Sequence, residues 1–332
     1  MIDTPTEGSE LRLDWLTGRW VVLNPRRRAR TDDFVRRVPP GPTEGACPLC
    51  PGDDEEPALC EVNDEHGHWL ARVLANRYPV IAGDTSFVVT QHGPTFLEGR
   101  GPGIHDVFVL GPDHDAGWDS LSDDHLQAVM GLLRDRVRQH ARTPGIRYSQ
   151  ALVNCGREAG ASLEHPHGQL LGLPFVPQDV DLEKRRFSLF KGACLLCTLV
   201  AVEEAVGERI VDVDEEVAVI SPYWAGSPYE MLVVPRRHEV GTHSAPRADL
   251  ISVAIATKRT LAALRNTVGD VAYNIVFHSA PFDDTGPYHW HVHLFPRITT
   301  AGGFELGTGV PVNVVAPEEA ASQLRKSLHL AA

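Results

Sequence analysis

The run His165-Pro-His-Gly-Gln169 has a counterpart in His289-Trp-His-Val-His293, and this pair decides the fold. Each closes a stretch that opens on another histidine, for His165 follows His114 by 51 residues and His289 follows His238 by the same 51. Each member of the second pair stands 124 positions beyond its partner in the first. The flanks keep register too: Asp106-Val-Phe-Val-Leu-Gly-Pro-Asp-His114 and Glu230-Met-Leu-Val-Val-Pro-Arg-Arg-His238 are apolar, strand-like runs ending in His. Each is followed by a segment at helical spacing, Leu121 to Arg142 and Ala248 to Thr267, and then by an apolar run, Tyr148 to Asn154 and Ala272 to His278. The order strand, helix, strand, strand therefore occurs twice. That is an α+β pattern, an antiparallel sheet with a helix packed on one face of each copy.

Outside the repeat, Leu11 to Trp15 and Arg19 to Leu23 read as a hairpin about Thr17-Gly18, and residues 176–190 connect the halves. The tail from Pro317 to Arg325 reads as a helix. Two domains, 1–178 and 179–332, suit the length of 332 residues. With 42% apolar and 23% charged residues the chain has the composition of a globular protein. Its 31 basic against 44 acidic residues give a net charge of −13, which argues against a nucleic-acid partner. No apolar run reaches the roughly 18 residues of a membrane span, and the first residues carry neither a basic nor an apolar leader, so a cytoplasmic location is expected.

Four of the six cysteines form Cys-x-x-Cys pairs, Cys47/Cys50 and Cys194/Cys197. Zinc prefers four thiolate and imidazole ligands, and such a turn delivers two sulfurs to one ion. The first half supplies Cys47, Cys50, His114 and His165; the second supplies Cys194, Cys197, His238 and His289, with His243 a competitor for His238. Sites closed by four protein ligands are structural. Cys60 and Cys155 have no partner at metal spacing and read as ordinary small residues.

Alternate residues of a strand share a face, so His165, His167 and Gln169 line one side, as do His289, His291 and His293. With His165 on the metal, His167 is placed by it but not bound to it. An imidazole so fixed can attack phosphorus and divide one difficult transfer into two easier ones. The loop Asn154-Cys-Gly-Arg-Glu-Ala-Gly160-Ala-Ser162 feeds into this strand. Its backbone amides, the Ser162 hydroxyl and the Gln169 amide are donors suited to phosphoryl oxygens.

His289 through Arg297 resembles the histidine-triad signature. Asn154 through Gln169 resembles the active-site stretch of the galactose-1-phosphate uridylyltransferase branch, in which glutamine replaces the third histidine. The likeness extends through Pro25-Arg-Arg-Arg-Ala-Arg30, Cys47-Pro-Leu-Cys-Pro-Gly52, Ala75-Asn-Arg-Tyr-Pro79, Gly111-Pro-Asp-His114 and Gly302-Gly-Phe-Glu-Leu-Gly-Thr-Gly309. The resemblance implies two fused histidine-triad-like domains, with His167 as the nucleophile and Ser162 and Gln169 holding phosphate oxygens. It implies that Asn154 lies at the same pocket, that Asn76 holds the nucleotide and Glu305 the sugar, and that Arg27 and Arg30, with a register open by one, contact phosphate. Some members place iron on a glutamate and three histidines, matching Glu183, His278, His291 and His293 here. The Cys2His2 set resembles instead the two-zinc arrangement of ADP-glucose phosphorylase relatives, and zinc is the expectation. His291 occupies the nucleophile position of the second copy, where a structural role is expected. A homodimer is implied by the resemblance alone.

The expected activity is nucleotidyl transfer from a nucleoside-diphosphate sugar, UDP-glucose foremost, to a sugar 1-phosphate through a covalent nucleotidyl-histidine. The tail Gly303 to Asn313 resembles the ADP-glucose subgroup, so a phosphorylase with phosphate as acceptor is the nearest alternative. A nucleotide hydrolase and a non-catalytic nucleotide-binding protein held together by zinc are the others.

Overall fold

The computed structural model describes residues 8–30, 47–52, 56–83 and 85–331. A hairpin of β1 (Glu10–Leu13) and β2 (Trp20–Leu23) opens the chain. The first half contributes β3 (Cys60–Asn63), β4 (Trp69–Ala75), a small hairpin of β5 (Val89–His92) and β6 (Phe96–Gly99), β7 (Ile104–Val109), α1 (Asp123–Arg142), β8 (Tyr148–Cys155) and β9 (His167–Leu173). Two helices, α2 (Gln178–Leu189) and α3 (Leu195–Val206), lead into the second half. That half is β10 (Ile210–Val213), β11 (Val217–Ile220), β12 (Met231–Pro235), α4 (Arg247–Val268), β13 (Tyr273–His278) and β14 (His291–Pro296). A short α5 (Gly303–Thr308), β15 (Val312–Asn313) and α6 (Pro317–Ala331) end the chain.

One ten-stranded sheet runs through both halves, in the order β10-β11-β12-β14-β13-β8-β9-β7-β4-β3. Outward from the centre, β8, β9, β7, β4, β3 on one side match β13, β14, β12, β11, β10 on the other. The halves join where β8 and β13 pair antiparallel, with Asn154 opposite Asn274 and Ala151 opposite Phe277. Each copy thus has three strands ahead of its helix, where the sequence pattern shows one. The edge strands β3 and β10 are four residues each, too short for a clear periodicity. The β5–β6 hairpin lies between β4 and β7, where the first half is longer than the second.

Both long helices lie on one face. Helix α1 starts where the Ser122 hydroxyl accepts the His125 N–H at 3.1 Å, with Asp123 and Asp124 in the first turn complementing the helix dipole. It buries Leu126, Val129, Met130, Leu133 and Val137 at helical spacing, and α4 buries Leu250, Val253, Ala254, Leu261 and Leu264. These meet the inward residues of the strands, among them Phe108, Val153, Leu170, Met231, Val233, Val292 and Leu294. At roughly 1.5–3 kcal/mol for each large apolar side chain removed from water, this layer is the main source of stability. Within it, Asp106 of β7 accepts from Arg136 Nε at 2.7 Å and faces His140 Nε2 at 3.0 Å, pinning α1 to the sheet.

The outer face is unevenly covered. Over the second half, Leu16 of the hairpin, Phe187 of α2 and Leu196 and Val200 of α3 pack on Ala218, Ile220, Leu232 and Val234. Over the first half the corresponding buried cluster among the described residues is Leu49, Leu74 and Val109. On this face His167, Gln169 and His105 line a cavity. Among the described residues no helix is long and apolar enough to cross a membrane.

Candidate active site

The strand β9 begins at His167, so His165 belongs to the turn before it rather than to the strand. There its Nδ1 lies 3.4 Å from the Cys50 sulfur, and His114 Nδ1 lies 3.3 Å from the same atom. The ligand atoms of Cys47, Cys50, His114 and His165 all fall within 4.8 Å of one another. In the second half the Cys194 sulfur is 3.5 Å and the Cys197 sulfur 3.4 Å from His289 Nδ1, with His238 Nδ1 3.8 Å from Cys197. His243 is not part of this group. Bonds of about 2.0–2.3 Å to a central ion would set tetrahedral edges of about 3.3–3.8 Å, so both sets fit zinc. The far ring nitrogens agree. His165 Nε2 donates to the Gly111 carbonyl at 2.8 Å and His289 Nε2 to the Pro235 carbonyl at 2.9 Å, which leaves each Nδ1 as a lone pair for metal. All six cysteines are free of disulfides.

His167 is oriented from this cluster. Its Nδ1–H donates to the carbonyl of His165 at 2.7 Å, so Nε2 carries the free lone pair. Burial holds the imidazole below the usual histidine range against the opposing pull of that hydrogen bond, which keeps it neutral. Gly168 follows for a steric reason, since a Cβ there would sit 2.0 Å from the Phe108 ring. The small residue lets β9 lie flat on β7 and keeps His167 and Gln169 on the outer face.

Two cavities meet at His167. One of about 450 Å³ is lined by His167, Gln169, Ser162, Asn76, His105 and apolar residues including Leu74 and Val107. A second of about 280 Å³ holds Asn154, Leu163 and His165 with His167. Asn154 is fixed across the junction of the halves: Asn274 Nδ2 donates to its Oδ1 at 2.7 Å and to the Ala159 carbonyl at 2.8 Å, tying down the loop before Ser162. In a single chain, however, Arg27 and Glu305 do not join this group. They line a separate cavity of about 720 Å³ with Arg297 and Ser227, because the 3-10 turn at Pro25–Arg30 and α5 both lie beside β15 rather than β9. The Arg30 side chain lies outside the described part of the structure. His105, which no sequence motif singles out, bonds to Gln169 Oε1 at 3.0 Å. Period-two counting back from Val109 places it on the outer face, so the signal was present.

At the second copy the Glu183, His278 and His291 ligand atoms converge, and Glu183 Oε1, His278 Nε2 and His291 Nε2 are buried without hydrogen-bond partners. Three unpartnered lone-pair atoms aimed at one point suit a cation. His293 is not in the set. Its Nε2 lies 2.8 Å from Glu230, whose other oxygen already accepts the Gly226 and Ser227 amides, and this charged partner turns the ring aside. The group shares no ligand with the Cys2His2 sets, so geometry does not make the two arrangements exclusive. His291 is completely buried, driven down to about 3 by that burial, and Glu183 covers it. Burial would raise Glu183, but His278 and its other neighbours hold it at about 2.

Comparison with known proteins agrees with this geometry. The family profile described as "Galactose-1-phosphate uridyl transferase, N-terminal domain" matches residues 2–177, and one described as a domain of unknown function, DUF4921, matches 113–331. An ADP-glucose phosphorylase of Arabidopsis thaliana is 31% identical over 96% of this chain and 93% of its own length. A galactose-1-phosphate uridylyltransferase of Thermotoga maritima is 27% identical over 96% and 98%. The crystal structure of an ADP-glucose phosphorylase from Arabidopsis thaliana with bound ADP-glucose superposes with a TM-score of 0.82 at 27% identity, covering 96% of this chain and 99% of that one. A structure of uridylyltransferase gives 0.76 at 27%, covering 97% and 99%. A histidine strand repeated at a fixed offset, two Cys2His2 clusters and a full-length match to both kinds of relative place this chain in the galactose-1-phosphate uridylyltransferase family.

Proposed function

We propose that this protein transfers a nucleotidyl group from a nucleoside-diphosphate sugar, UDP-glucose foremost, to a hexose 1-phosphate by way of His167. The observation that carries the reading is the bond from His167 Nδ1 to the His165 carbonyl, which leaves Nε2 as a neutral nucleophile at the wall of a nucleotide-sized cavity. Nε2 attacks the α-phosphorus; the bond to the bridging oxygen breaks and the sugar 1-phosphate departs. An oxygen of the acceptor phosphate then attacks the same phosphorus and the N–P bond breaks. Ser162 and Gln169 donate to the non-bridging oxygens where charge accumulates. Asn76 holds the nucleoside, and Asn154 orders the approach from the smaller cavity.

Cys47, Cys50, His114 and His165, and likewise Cys194, Cys197, His238 and His289, would hold zinc. Bound there, zinc has four protein ligands and supplies rigidity to the strand that bears His167. Glu183, His278 and His291 would take a cation such as iron.

A second reading makes phosphate the acceptor, and one observation favours it: the ADP-glucose phosphorylase matches at 31% identity and a TM-score of 0.82, against 27% and 0.76 for the uridylyltransferases cited above. Incubation with UDP-glucose or ADP-glucose, each with hexose 1-phosphate or with phosphate, separates the two. Turnover of UDP-glucose only with hexose 1-phosphate supports the first; release of ADP from ADP-glucose only with phosphate replaces it by the second.

A further inference from the structure

We infer that His105 is the positioning residue that decides which end of the Gln169 amide meets the transferring phosphate, an inference that rests on the nucleotidyl-transfer reading above. A glutamine amide has two ends of nearly equal size. Its NH2 end can hold a phosphoryl oxygen, and its carbonyl end repels one. Something must therefore choose between them, and the choice is made on the neighbouring strand.

His105 is buried on β7 at 7% exposure, diagonally across from Gln169, whose direct partner in the β7–β9 register is Val107. The backbone N–H of Val80 donates to its Nδ1 at 3.1 Å. A backbone N–H can only donate, so this nitrogen is the lone pair and the proton of the neutral ring sits on Nε2. Nε2–H then donates to Gln169 Oε1 at 3.0 Å. With its oxygen committed, Gln169 presents its NH2 to the cavity.

Asn76 is held beside the same ring by backbone groups. Its backbone N–H donates to the His105 carbonyl at 2.9 Å, and its Oδ1 accepts the Tyr78 N–H at 2.8 Å. Its Nδ2 stands 3.1 Å from His105 Nε2 and 3.5 Å from Nδ1, against the ring. One buried imidazole thus aims the Gln169 amide at the ligand. The second half lacks the device: at the repeat offset His105 becomes Tyr229, whose hydroxyl bonds Gln323 of α6, and Gln169 becomes His293, bonded to Glu230. The relay stands in the half whose outer face bears the two cavities at His167.

His105→Phe fills the space and removes both bonds, while His105→Gln restores an acceptor for Val80 and a donor for Gln169. With UDP-glucose and ADP-glucose labelled at the α-phosphorus, His105→Phe should slow single-turnover labelling of the chain by about tenfold to a hundredfold, the order expected of a misaimed donor. It should lower kcat far more than it raises KM, and His105→Gln should recover most of the loss. The double variant His105→Phe/Gln169→Leu should be no slower than Gln169→Leu alone. Additive losses, or full speed in His105→Phe, overturn the inference while leaving the reaction standing. Absence of label on the wild-type chain overturns the reaction, and the inference with it. Independently of substrate, nitrogen NMR of histidine-labelled protein, assigned by the missing His105→Phe signal, should show the Nε2–H tautomer; an Nδ1–H tautomer overturns the inference outright.

Discussion

At an offset of 124, His167 corresponds to His291, Asn154 to His278 and Gln169 to His293, and the two centres share their backbone logic. His167 Nδ1 donates to the His165 carbonyl at 2.7 Å and His291 Nδ1 to the His289 carbonyl at 3.0 Å. His165 and His289 donate in turn to Gly111 and Pro235, again one repeat apart. What differs is the material on the outer face. The hairpin, α2 and α3 cover the second copy, and α2 presses Glu183 against His291 and His278 while Tyr288 donates to its second oxygen at 2.7 Å. Among the described residues the first copy has no such plug, and its histidine stands at the wall of two cavities. The histidine strand therefore supplies a positioned imidazole in both halves, and the covering elements decide whether a substrate can reach it.

The sharpest way to break this comparison is to remove each histidine in turn. His167→Asn should abolish label transfer from an α-labelled nucleotide sugar, by about 10³-fold or more as expected for loss of a nucleophile, with the thermal midpoint little changed. His291→Asn should lower the midpoint by several degrees yet still accept label. Label that survives in His167→Asn and vanishes in His291→Asn would reverse the assignment of the two halves.

Metal removal gives the next largest contrast. Cys50→Ala and Cys197→Ala should each cost about one equivalent of zinc by elemental analysis and lower the midpoint. Only Cys50→Ala frees His165, whose carbonyl holds His167, so it alone should slow labelling, by roughly tenfold to a hundredfold. Equal slowing in both variants would mean that the clusters serve overall rigidity and not the aim of one imidazole.

Much of this architecture is legible in the chain because metal ligands and long amphipathic helices are strong local signals. Cys-x-x-Cys turns, matched histidines and the helices Asp123–Arg142 and Arg247–Val268 fall where their spacing puts them. The fusion of the halves into one sheet is not legible, because the β8–β13 pairing joins residues such as Asn154 and Asn274 that no local pattern relates. The plug is hidden for a similar reason. Glu183 lies on a polar connecting segment, and only packing shows that it is 3% exposed against His291. The separate setting of Arg27 and Glu305 likewise depends on β15 running parallel to β2, a long-range contact of two residues.

The smallest expected effect concerns Asp106 and Glu230, again equivalent positions with different tasks. Glu230 caps the Gly226 and Ser227 amides and holds His293, whereas Asp106 fastens α1 beneath the open half. Burial alone would raise Asp106, but bonds from His140 and Arg136 bring its carboxyl below the usual range. A carboxylate whose value is lower in the folded state adds stability above its unfolded value of 3.8 and loses it as pH falls through the folded one. Asp106 should therefore stabilise the protein fully at neutral pH and progressively less below about pH 4. Asp106→Ala, which strands His140 and leaves Arg136 to solvent and Gln139, should cost about 3 kcal/mol at pH 7 by urea unfolding. The gap between wild type and variant should narrow as the pH drops from about 4 toward 2. A gap that stays constant over that range would show that Asp106 acts through packing and not through its charge.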